Sequence, residues 1–192
     1  MSRIIKMNKL FEFLKLFVTV SILAYPMQVW AQSGDSASLS SPLSVNGAWK
    51  VYTDVKKDCW LVSAPQKAVN TKDGKNVKVK RGPSLLFVSF WQEDKKRGEV
   101  SYTGGYPYRN YMEGSGVILR VDSNDFELFS EPSGQVAWAK NSNADIKITN
   151  AMKRGTEATI IGFSKRGTKT VDTVSLRGFT AAFEDAEKRC PE

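Results

Sequence analysis

The sequence has no histidine and only two cysteines, Cys59 and Cys190, among 192 residues. Without an imidazole there is no histidine acid–base catalysis and no serine or cysteine nucleophile activated by one. The usual zinc sites are excluded for the same shortage of ligands. No Cys-x-x-Cys pair offers thiol exchange, and no glycine loop has the lysine spacing that cradles phosphates. The longest apolar stretch is about half of the roughly 20 residues a membrane-spanning helix needs. What is present is globular in composition, 41% hydrophobic and 25% charged. The chain is therefore expected to be non-enzymatic, with no cofactor, no metal and no nucleic-acid module.

The N-terminus has the pattern of an export signal. Arg3, Lys6, Lys9 and Lys15 stand against Glu12, an apolar stretch runs from Leu16 to Tyr25, and Pro26 breaks any helix. Val29-Trp30-Ala31 then presents small residues at the two positions signal peptidase reads, so cleavage is expected between Ala31 and Gln32. No membrane span remains after removal. The periplasm is the expected compartment, with the outer surface or secretion as the alternatives. Residues 32–47, rich in Ser, Gly, Ala and Asp, read as a flexible leader, and 48–192 as a single domain.

In an exported chain, two cysteines are most simply one disulfide; two separate thiols or a bond between chains are the alternatives. A Cys59–Cys190 bridge would close a loop of roughly 130 residues and restrict the unfolded state by up to about 5 kcal/mol.

From Ala48 the apolar period becomes two, the signature of half-buried strands. Trp49, Val51, Thr53 and Val55 are expected to point one way, and Cys59 to Ala64 forms a second strand. Leu85 to Trp91, apolar on both faces, is the candidate central strand. Further strands are expected at 99–103, 117–121, 126–129, 135–140, 157–163 and 169–174, the last two paired across Lys165-Arg166-Gly167. Ser142 with Asp145 resembles a capping box opening a helix that Gly155 stops, although Ile146 and Ile148 could also alternate in a strand. Phe179, Ala182, Phe183 and Ala186 share one face of a closing helix, with Glu184 and Lys188 as an outer ion pair. The pattern gives a mainly β, single-domain antiparallel sandwich or barrel of about eight strands with a C-terminal amphipathic helix.

Two segments are candidates for binding. Between Lys67 and Arg81 six cations face one acid, Asp73, and Asp73-Gly74 marks a turn. This reads first as a solvated loop or a lysine-protected edge hairpin. The sharper reading is a landing patch for anionic lipid or glycan, with Lys75, Lys78 and Lys80 foremost. The second segment gathers Tyr102, Tyr106, Tyr108 and Tyr111 around Arg109. Tyrosine and arginine are common at binding hot spots, but Tyr102 alternates inward and Gly104-Gly105 with Pro107 suggests loop packing. The acids Asp122, Asp125 and Glu127 cluster at a turn and are expected to face water, where they do no catalysis.

The closing stretch DTVSLRGFTAAFEDAEKRC, Asp172 to Cys190, resembles the C-terminal signature of the invasion-associated locus B family. Trp49, Val51 and Cys59, EVSYTGGYP at 99–107, and AMKRG with GFSKRGTKT within 151–170 fit one branch of it. The resemblance spans about Gly47 to Cys190. It implies an exported protein of a largely alphaproteobacterial family associated with host-cell entry and the cell envelope. It also implies a mainly β fold with a terminal helix, an envelope or host-surface partner, and no catalytic residues to carry over. Other branches hold further cysteines that are absent here.

Overall fold

The computed structural model describes residues 41–109 and 116–190. The export segment, the Ala31–Gln32 cleavage point, most of the leader and Tyr111 lie outside the described residues. Alternating apolar positions build twelve strands in one antiparallel sheet. They are β1 (Ser44–Asn46), β2 (Trp49–Thr53), β3 (Cys59–Ser63), β4 (Lys67–Lys72), β5 (Lys75–Asn76) and β6 (Leu85–Trp91). The others are β7 (Lys96–Thr103), β8 (Val117–Val121), β9 (Asn124–Phe129), β10 (Val136–Ala139), β11 (Glu157–Phe163) and β12 (Lys169–Ser175). Two helices, α1 (Ser142–Arg154) and α2 (Phe179–Arg189), complete the described fold.

The strand order is β1-β2-β3-β6-β7-β10-β9-β8-β11-β12-β4-β5. Only residues 64–66 separate β3 from β4, yet the two lie on opposite sides of that order. The sheet must therefore curl until β3 runs into β4, which brings β2 beside the end of β12, where the Ala48 amide donates to Arg177 O at 3.0 Å. The outcome is a curled, barrel-like sheet whose inner face carries the core. Trp49, Val51, Leu61, Leu86, Val88, Phe90, Val100, Leu119, Leu128 and Ile160 are all fully or almost fully buried.

The helices close one end. Phe179 and Phe183 of α2 stand edge-on to Trp49 and Phe90, with ring centroids at 4.8 and 5.2 Å. Burying each phenylalanine contributes about 1.5–3 kcal/mol. The Trp49 indole N–H donates to Ser175 O at 3.0 Å, so this large ring is both packed and satisfied. The Cys59–Cys190 disulfide, with Cα atoms 6.2 Å apart, ties the end of α2 to β3.

Several expectations shift in detail. Twelve strands replace about eight because the basic segment and the end of the leader also pair. The leader's end contributes β1, held by backbone pairing to β2 and by the Ser44 hydroxyl donating to Asp185. That bond and the guanidinium of Arg189 hold the Asp185 carboxyl below its ordinary pKa. Val55 is fully exposed. Its strand stops at Thr53, where a turn forms with Lys57 N donating to Asp54 O and Lys57 at φ +65°. The N-cap of α1 is Asn141, whose Oδ1 accepts from Ala144 N at 3.0 Å. Asp145 is instead buried and accepts from Val100 N at 2.8 Å, joining α1 to β7. On α2 the i, i+4 ion pair is Asp185–Arg189.

Because the disulfide joins residues 131 positions apart, its reduction should lower the unfolding free energy by about 2–5 kcal/mol. Denaturant midpoints with and without reductant check this. Coincident midpoints would contradict a stabilising bridge.

Candidate functional site

The opposite end of the barrel is polar, and alternation along β12 explains why. The residues turned inward are Thr170, Asp172 and Val174, and all three are buried. A carboxylate with no exposed surface requires partners. Arg81, just ahead of β6, supplies them: Nη1 and Nη2 donate to Oδ2 and Oδ1 of Asp172 at 2.7 and 2.5 Å. Tyr102 Oη donates to Oδ2 at 2.5 Å, and Arg81 Nη1 also reaches Gly104 O at 3.1 Å. The bidentate fork matches carboxylate geometry. The hydrogen bond to Asp172 drives the Arg81 pKa further up, against the opposing effect of burial.

A second seam lies alongside. Gly82 N donates to Gly105 O at 2.9 Å, and the two backbones touch. Gly105 has φ +73°, and a Cβ there would stand 2.2 Å from Gly82 O. Only glycine fits this approach. The two seams fix the segment between β5 and β6 onto β12 and onto the loop that follows β7.

Tyr106 and Tyr108 fill the barrel mouth with ring centroids 5.1 Å apart. Tyr108 is buried, whereas Tyr106 is partly exposed and its hydroxyl bonds to the Thr170 hydroxyl. Gly162 lets both rings in, since a Cβ there would sit 2.8 Å from the Tyr106 hydroxyl. Burial pushes the Tyr106 hydroxyl up to about 12 and raises Tyr102 and Tyr108 further, the charge of Asp172 adding to the effect.

Above these residues opens a cleft of about 630 Å³. One side comes from Lys78, Val79, Lys80 and Arg81, another from the β11–β12 turn with Ser164, Lys165, Arg166 and Thr168. Gly105, Tyr106, Pro107 and Thr170 complete it. Among the described residues this lining holds five cations and no carboxylate. Arg81 is committed to Asp172, and Lys165 Nζ donates to the Ser133 hydroxyl at 3.4 Å; Lys78, Lys80 and Arg166 are the other cations of the lining.

The candidate residues thus separate. Lys78, Lys80 and Tyr106 meet in the cleft, which joins the basic segment to the tyrosine cluster. Lys75 sits exposed on the β4–β5 edge hairpin and does not line the cleft. Tyr108 is core. Arg109 is exposed, with its amide bonded to Phe163 O at 2.9 Å and its guanidinium 6.0 Å from the Phe163 ring centre. Asp125 and Glu127 are exposed, and Asp125 accepts from Nε and Nη2 of Arg120.

Lys165, Arg166, Thr168 and the Arg81–Asp172 pair were missed as site residues. An available signal was the acid at an inward position of a strand, which implies a buried cation elsewhere.

Fold and site define a disulfide-linked antiparallel barrel, plugged by helices at one end and cationic at the other. The chain belongs to the invasion associated locus B family: the family described as Invasion associated locus B (IalB) protein matches residues 49–187. Among solved structures it is similar to one titled crystal structure of invasion associated protein b from Bartonella henselae. That likeness has 18% identity, covers 78% of this chain and 98% of the other, and has a TM-score of 0.49. No curated protein matches the chain.

Two outcomes are expected at this end of the barrel. Arg81→Met strands a buried carboxylate and should cost about 3–5 kcal/mol in denaturant unfolding; a loss below about 1 kcal/mol would contradict the buried pair. The tyrosines hold their protons more tightly folded than unfolded. The Tyr106 contribution is therefore complete below about pH 10 and is lost as pH rises towards about 12, whereas Tyr102 and Tyr108 hold their protons beyond that range. Melting temperature should fall across that window, and Tyr106→Phe should flatten the fall; a slope unchanged by the substitution would contradict it.

Proposed function

We propose that the chain is an exported, non-enzymatic protein of the cell envelope that acts by binding or structural support, with the barrel-end cleft as its binding site. The single observation that carries the binding reading is the concave cationic lining, supplied by two separate segments and fixed in place by the Arg81–Asp172 and Gly82–Gly105 seams. A pocket of this size suits a small ligand or a segment of a larger one. The N-terminal signal pattern supports export, and a disulfide persists in oxidising compartments. Membership of the invasion associated locus B family supports an envelope or host-contact role. Among the described residues, no helix is long and apolar enough to cross a membrane.

Lysines and arginines at a concave surface focus potential and draw anions, and salt screens the attraction. The second reading, a module for anionic lipid or polyanion, is thereby favoured at Lys78 and Lys80 and extended to Lys165 and Arg166. Cell fractionation tests the account. The mature chain should co-sediment with envelopes, release as salt rises, and lose most retention in the Lys78→Ala/Lys80→Ala/Lys165→Ala/Arg166→Ala variant. Cytoplasmic recovery, or retention indifferent to these four charges, would overturn it.

A further inference from the structure

We propose that the cleft binds an acidic glycan, a saccharide segment carrying at least two sulfate, phosphate or carboxylate groups; this deepens the anion-binding reading above and rests on it. Three features of the lining select this chemistry. The cations come from two different segments, Lys78 and Lys80 ahead of β6, and Lys165 and Arg166 in the β11–β12 turn. A ligand that engages both needs its charges distributed along its length, as a lone phosphate does not have.

The same lining holds a partly exposed aromatic ring, Tyr106, beside Pro107. Such a face takes the C–H side of a sugar ring, and a linear polyphosphate has nothing to place there. The Ser164 and Thr168 hydroxyls are in the same lining and can donate or accept, which suits sugar hydroxyls.

A lipid surface fits less well. Docking on a membrane calls for an apolar face to bury beside the charges. The exposed apolar residues of this lining are Val79, 39% exposed, and Pro107, a small area for a bilayer to bury. The charges line a recess, which receives a chain segment more readily than a bilayer plane.

Titration calorimetry on the disulfide-intact mature chain tests the proposal with four probes. They are a sulfated heparin-derived hexasaccharide, its desulfated counterpart, inorganic polyphosphate of equal charge, and phosphatidylglycerol vesicles. The sulfated hexasaccharide should bind saturably at one site and weaken about tenfold or more between about 0.05 and 0.3 M salt. The desulfated sugar should not bind measurably. Lys165→Ala/Arg166→Ala and Lys78→Ala/Lys80→Ala should each weaken binding by about tenfold, the charges being additive in direction. Tyr106→Leu should weaken the hexasaccharide more than polyphosphate. If that variant unfolds, the comparison of hexasaccharide with polyphosphate on the native chain and the exposed-charge variants decides.

Polyphosphate binding as tightly as the sulfated sugar would overturn the glycan assignment and leave anion binding standing. Vesicle capture without hexasaccharide binding would overturn it in favour of lipid. Binding of none of the four would remove both the glycan proposal and the anion-binding reading.

Discussion

One buried ion pair organises the functional end of this barrel. Asp172 sits inside with no exposed surface, and Arg81 meets it with both arms of its guanidinium. Burying two charges gives little net stability against a well-packed apolar pair, but removing either one alone is costly. Its contribution is geometric. Arg81 belongs to a segment with no strand of its own, and the pair draws that segment across the barrel mouth. Lys78 and Lys80 are carried with it into the lining of the cleft that Lys165 and Arg166 share.

The two ends of the barrel are held by different chemistry. At the helix end, Trp49, Phe90, Phe179 and Phe183 interlock, and the disulfide fastens α2 to β3. That end is dominated by apolar packing. At the other end, tyrosines take the place of aliphatic residues, their rings packed inward and their hydroxyls spent on Asp172 and Thr170. Amphipathic side chains of this kind let a core grade into a polar surface while their own hydroxyls keep partners. The mouth can therefore be rigid and charged at once. Lys165 and Arg166 are placed by the tight β11–β12 hairpin, in which Gly167 N donates to Ser164 O at 2.8 Å and Gly167 takes φ +83°.

Much of the architecture was legible because alternation is a local property. Trp49 and Val51, the run from Leu85 to Trp91 and the heptad-like spacing of Phe179, Ala182, Phe183 and Ala186 each announce their element. The single-disulfide reading of Cys59 and Cys190 follows from cysteine number and export pattern and is realised in the fold. Strand β1 was not legible, since Ser44 and Asn46 carry no strand preference and pair only because β2 offers an edge. The capping of α1 was misassigned by one residue because Asp145, which looks like a cap partner, is claimed by Val100 of another strand. The cleft was half legible. The lysine run and the tyrosine cluster each stood out, but nothing local says that residues near 80, 106 and 165 converge. That convergence follows from barrel closure through 64–66 and from an arginine finding its carboxylate 91 residues away.

The account stands or falls on whether the Arg81–Asp172 pair holds the basic segment against the barrel. Native-state amide hydrogen exchange at Gly82 reads this directly, because that N–H is bonded to Gly105 O. The account predicts strong protection of the Gly82 amide in the native chain and its selective loss in Arg81→Met, while amides of β3 and β6 near the disulfide stay protected. Fast exchange at Gly82 in the native chain, or protection there that survives the substitution, would contradict it.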